Sequence, residues 1–217
     1  MIAVSRKSQK MQELLKSALN EEILDRAHSY PDYLQMIEQL VAENKTTGPN
    51  QSESYLEYTR MSLRRMTRWG KTIKISPEME SLTRSLPSQV WLVITEAWCG
   101  DAGQSVPYIQ KLAELNPSIQ LKLILRDEYP QIMDRYLTNG ARSIPMMISF
   151  SPDLQEEYFV WGPRPEFLMQ RLLEYKNDPK GVSSKEFSEG THLWYAKDKH
   201  QSMEKELIQK FKTAFDL

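Results

Sequence analysis

One residue in this sequence has both the chemistry and the setting of a nucleophile: Cys99, the sole cysteine among 217 residues. It follows a run of β-branched and apolar residues, 89–95, and stands where the next helix begins, within Glu96-Ala97-Trp98-Cys99-Gly100-Asp101-Ala102. Unpaired N–H groups and the dipole at a helix N-terminus favour a thiolate over a thiol. Gly100 leaves space for a partner sulfur to approach, and Trp98 shields one side of the thiol. Two carboxylates lie close in sequence. Asp101, in the first helical turn, is favoured by the helix dipole and reads as a cap, but its charge opposes a neighbouring thiolate and raises the thiol pKa. Its sharper role, open also to Glu96, is to carry a proton for Cys99.

Other chemistries find less support. A lone cysteine excludes an internal disulfide, and His28, His192 and His200 have no zinc-ligand spacing, so no metal is expected. Arg60, Arg64 and Arg68 form a helical row, part of six basic residues between 60 and 74 with no acid among them. That row reads as a solvated face or as a site for an acidic partner. The formal net charge of -1 argues against a basic nucleic-acid binder. The first 22 residues have no apolar core of a secretory signal, and no apolar run is long enough to span a membrane. The expected setting is cytoplasmic, with no cofactor, where an unpaired thiol stays reduced.

The elements that must position Cys99 follow from periodicity. Apolar spacing predicts helices over residues 9–27, 32–43 and 53–69, separated by Pro31 and by the polar loop 46–53. Residues 71–75 read as a short strand, and Ser76-Pro77 as a helix start. Strands are expected at 89–95, 119–125, 146–150 and 156–161, the last two as a hairpin. Helices are expected from 99 to about 115, from 128 to 138 and over 165–176. The order from 71 to 176 is β-α-β-α-β-α-β-β-α, an α/β arrangement around a mixed sheet. Residues 1–70 form an N-terminal helical extension and 177–217 a C-terminal helical appendage. In the latter, 203–215 is helical, and His192-Leu193-Trp194-Tyr195 covers either the sheet or the site entrance.

With these pieces in place, residues 71–176 resemble the thioredoxin family. Trp98-Cys99-Gly100 matches the start of the family's Trp-Cys-Gly-Pro-Cys site, and Pro107 matches its helix-kinking proline. Ile144-Pro145 before an apolar strand matches the family's cis-proline, and Gly162 falls where the family has a glycine. The resemblance implies a thioredoxin-like fold, catalysis through Cys99 with Asp101, and substrate binding at Trp98, Gly100, Ile144 and Pro145, with Met146 lining the groove. The sequence is also similar to a bacterial subgroup with an Ala-Trp-Cys-Gly-Asp-Ala motif and helical extensions at both ends.

The departures shape the expected function. Ala102 replaces the resolving cysteine, Asp101 the proline between the cysteines, and Val93 the buried acid. The expectation is monothiol thiol–disulfide exchange through Cys99. Protein thiols or disulfides would be the partners, and an external low-molecular-weight thiol would release the mixed disulfide. The alternative is a catalytically inactive thioredoxin-fold module that holds a partner. A third possibility is a redox-controlled dimer through Cys99. An accessible thiol of low pKa favours exchange, whereas a buried, unreactive one favours the module.

Overall fold

A computed structural model of the chain describes Leu19 and residues 21–217. The run Gln89–Thr95 forms β1, and all seven of its residues are buried. A strand of Val, Leu, Ile and Trp with no polar face must lie inside a sheet covered on both sides. Among the described residues, β1 joins β2 (Ile119–Leu125), β3 (Met146–Phe150) and β4 (Glu157–Trp161) in one sheet of order β2-β1-β3-β4. β2 is parallel to β1, while β3 and β4 run antiparallel to their neighbours. Val93, opposite Leu123 and Met147, is fully buried at the sheet's centre.

The helices are α1 (Glu21–Arg26), α2 (Tyr30–Ala42), α3 (Glu53–Thr72), α4 (Pro77–Ser85), α5 (Ala102–Ala113), α6 (Pro130–Met133), α7 (Glu166–Asn177), α8 (Ser184–Asp198) and α9 (Gln201–Phe215). α5 follows β1 and is buried along nearly its whole length. Its Gly103 lets α3 approach closely, since a Cβ there would stand 2.9 Å from Ser62 Oγ and 3.1 Å from Ser62 Cα. Trp69 Nε1 donates to Gln104 Oε1 at 2.6 Å across the same contact. α9 begins beside this contact, where its N-cap His200 lies against Trp69 and Tyr108, and it buries Met203, Leu207 and Phe211 in the common core. The Phe211 ring lies 5.9 Å from Trp91 and 5.4 Å from Phe159.

Three expected elements differ. Residues 71–75 are not a strand. α3 continues to Thr72, Ile73 N–H still bonds the Trp69 carbonyl, and the chain then runs as coil to the Ser76 cap of α4. The outer edge of β2 is met by a single residue instead: His28 exchanges both backbone bonds with Leu123, at 2.8 and 2.9 Å. The helix expected over 128–138 is the single turn α6, because Asp134 leaves it to accept both Arg142 Nε and Nη2, at 2.6 and 2.8 Å. Asn139 and Gly140, both at positive φ, then turn the chain toward β3. Of the helix expected over 9–27, Glu21–Arg26 is helical; residues 9–18 and 20 lie outside the described residues.

Candidate functional site

Cys99 stands four residues beyond the end of β1, in the turn that opens α5. The turn is held from below by a buried clamp. Thr47 Oγ1 donates to Glu96 Oε2 and accepts from Ala97 N–H, while Asp127 N–H donates to Glu96 Oε1 at 2.9 Å. Both Glu96 oxygens are thereby engaged on the loop side of the turn. Burial pushes this carboxyl above the usual range, partly offset by the hydrogen bonds from Thr47 and Asp127. Cys99 Sγ accepts from Ala102 N–H at 3.4 Å and donates to the Ile144 carbonyl at 3.3 Å. The Ile144–Pro145 peptide bond is cis.

The thiol is nonetheless only 5% exposed. Burial pushes its pKa up to about 12, the Asp101 charge adds to the rise, and backbone N–H groups and Arg164 offset only part of it. This reverses the sequence-based expectation of a thiolate. The helix N-terminus acts as expected on Sγ, but desolvation of the charged form is the larger effect.

Asp101 occupies the N-cap position of α5 without making a side-chain cap bond. Its Oδ2 pairs with Arg164 Nη2, and its Oδ1 accepts from Tyr195 OH at 2.8 Å. Arg164 follows Pro163 after β4, and Tyr195 belongs to α8, so one carboxylate ties three distant segments together. Space above Gly100 is filled as well. A Cβ there would lie 3.2 Å from Arg65 Nη1 and 3.7 Å from His192 Cε1. Sequence reasoning singled out the row Arg60, Arg64 and Arg68, yet Arg65 is the residue of that helix that turns inward, donating to the Gly100 carbonyl at 3.4 Å. Arg60 instead pairs with Glu53 and Glu57, and Arg68 lies over Trp69.

A cavity of about 440 Å³ lies above the thiol. Trp98, Cys99, Gly100, Asp101 and Ile144 meet on its lining, whereas Pro145 and Met146 do not reach it. Tyr55 and Tyr58 of α3 form one wall, and Phe187, Thr191 and His192 of α8 form another. Of the segment 192–195, His192 lines the cavity, while Tyr195 is buried against Asp101 and does not. His192 Nδ1 is buried without a hydrogen-bond partner, and its Nε2 meets Ser188 Oγ at 3.2 Å. Burial, and then the Arg65 charge, depress its pKa to about 4. The folded imidazole is therefore neutral at pH 7 and supplies no positive charge to the thiol. Because the unfolded imidazole binds its proton near pH 6.5, the contribution of neutral His192 to stability is complete above that pH and is lost as pH falls toward 4. We expect the thermal midpoint to drop between pH 6.5 and 4.5, and His192→Gln to flatten part of that drop.

The sheet order, the helix that begins at the cysteine and the Ile144-Pro145 turn are features of one fold. The family described as Thioredoxin matches residues 48–177. The chain belongs to the thioredoxin family. The match covers α3 and extends to the end of α7, so the helix that carries Arg65 lies within the region shared with the family. Among solved structures, this thioredoxin-family chain is similar to a protein of unknown function from Pseudomonas aeruginosa. The identity is 14% and the TM-score 0.57, covering 89% of this chain and 96% of that one. It is also similar to an HIV epitope scaffold, at 16% identity and a TM-score of 0.50, covering 86% and 99%. At these identities the likeness concerns the fold alone. No curated protein matches the chain. Among the described residues, no helix is long and apolar enough to cross a membrane.

Proposed function

We propose that this thioredoxin-family protein is a binding module, in which the cavity over Cys99 holds a ligand and the thiol remains protonated. The observation that carries this reading is the state of Cys99: buried, pushed up to about 12, and next to the Asp101 carboxylate. Ala102 leaves no resolving thiol, Val93 stands where the family has its buried acid, and both oxygens of the buried Glu96 are engaged by Thr47 and Asp127. A thiol in that state attacks disulfides slowly at neutral pH, because the thiolate is the nucleophile.

Monothiol exchange is the second reading, favoured by the Ala102 N–H that points at Sγ and by the contact of Cys99 with the cavity. In that reaction the Cys99 thiolate attacks one sulfur of a disulfide, forming a mixed disulfide and expelling the other sulfur as a thiol. An external low-molecular-weight thiol then releases Cys99 and takes its place in a new disulfide. A cytoplasmic, reducing setting suits both readings. Turnover of 2-hydroxyethyl disulfide with added glutathione or bacillithiol separates them. We expect the parent protein and Cys99→Ser to give the same background rate. Turnover that depends on Cys99 would replace the module with exchange.

A further inference from the structure

Arg126 and Arg142 line the cavity beside its aromatic surface, while the third guanidinium of the lining, Arg164, is paired with Asp101. Arg126 lies 4.7 Å over the Trp98 ring, and Trp98 in turn meets Tyr55 at 5.0 Å. Arg126 gives Nε to Asp127 and Nη1 to the Arg142 carbonyl, at 2.8 and 3.3 Å. Arg142 gives Nε and Nη2 to Asp134. Each guanidinium therefore has one carboxylate partner outside the lining. Arg126 Nη2 and Arg142 Nη1 have no hydrogen-bond partner among the described residues, and both side chains line the cavity. Each pair is formally neutral but leaves an N–H donor on its guanidinium, which suits a monoanion better than a dianion, because a second negative charge would meet Asp127 and Asp134 as well. The volume of about 440 Å³ lies within the range of small-molecule sites. Beyond these arginines the lining includes Trp98, Tyr55, Ile144 and Phe187, the Cys99 thiol, and the Asp101 carboxylate, whose charge Arg164 pairs.

Resting on the binding-module reading, we infer that the ligand is a small carboxylic acid with an aromatic or aliphatic body. Its carboxylate accepts from Arg126 Nη2 and Arg142 Nη1, and its body packs against Trp98, Tyr55 and Phe187. The α8 wall leaves room for a molecule of that size rather than for a protein strand laid along Ile144 and Pro145.

The test is calorimetric titration of the full chain carrying Cys99→Ser, which removes any covalent chemistry. The probes are 3-phenylpropionate and indole-3-propionate, each compared with its neutral amide. We expect each acid to bind about tenfold or more tightly than its amide, as charge-assisted hydrogen bonds imply. Arg142→Gln should weaken the acid more than the amide and so narrow the gap between them, and Arg142→Lys should restore part of the preference. Equal binding of acid and amide would overturn the inference while leaving the module intact. So would binding of neither acid at millimolar concentration. A reactive Cys99 in the parent protein would count against the module but would leave this comparison valid.

Discussion

Asp101→Leu is expected to destabilise the fold by about 3 kcal/mol or more, read as a shift in the urea midpoint at unchanged slope. The Asp101 and Arg164 side chains are 14% and 17% exposed, so neither charge is well solvated once the other is gone. Arg164 already has one buried nitrogen, Nε, without a partner, and loss of the carboxylate would leave the guanidinium charge unpaired. Tyr195 would lose its acceptor at the same time, loosening α8 from the start of α5. The double variant Asp101→Leu, Arg164→Met should recover most of the loss, because it removes both charges together. A loss under about 1 kcal/mol for the single variant would place the pair in the class of solvated surface bridges and contradict this view of the site. Asp101→Asn is the milder probe. It keeps an acceptor for Tyr195 and removes the charge that opposes the thiolate, so the Cys99 pKa should fall from about 12 while burial still holds it above the free value.

The second large effect belongs to Gly162, just after β4. Its φ is +126, and a Cβ built there would stand 2.2 Å from the Pro145 carbonyl oxygen and 3.3 Å from Met146 Cα. Both obstacles are backbone at the foot of the site, so no rotamer change relieves them. Gly162→Ala should therefore cost more than about 3 kcal/mol, adding a steric clash to an unfavourable backbone conformation. Gly140→Ala is the matched control. It too has positive φ, +77, but nothing lies within 4 Å of its Cβ position, so the expected cost is only the roughly 1–2 kcal/mol of left-handed strain. Similar midpoints for the two variants would show that the packing of Gly162 against Pro145 is not a stability determinant.

The strands were largely legible because their chemistry is local. Residues 89–95, 119–125 and 146–150 are apolar runs bounded by turn residues, and the strands occupy those positions. The strand expected at 71–75 failed because two isoleucines alternating with lysine fit a strand pattern but follow a helix whose hydrogen bonds carry on to Ile73. α8 shows the opposite failure. It mixes aromatic and charged residues around its whole circumference, so no apolar stripe marks it. Ser183 and Glu186 do form a capping box, a start signal that depends on spacing and not on hydrophobicity.

The site divides in the same way. Trp98, Cys99, Gly100 and Asp101 are consecutive, and Ile144 came with the family resemblance. Arg164 and Tyr195, the partners of Asp101, are 63 and 94 residues away and come from segments with no motif of their own. The pKa of Cys99 was illegible for a related reason. Sequence shows the helix N-terminus that lowers it, but the burial that raises it depends on where α3 and α8 lie across the site.

The pH–rate profile of Cys99 alkylation by iodoacetamide tests the central claim most directly. A thiol near 12 in the folded protein, against about 8.5 for a free cysteine, means a rate that stays negligible through pH 9. At pH 8 the urea-unfolded chain should react on the order of a thousandfold faster, in proportion to its thiolate fraction. A folded-state thiol that titrates below about 7.5 and reacts as fast as the unfolded chain would contradict the account and return Cys99 to the role of a nucleophile.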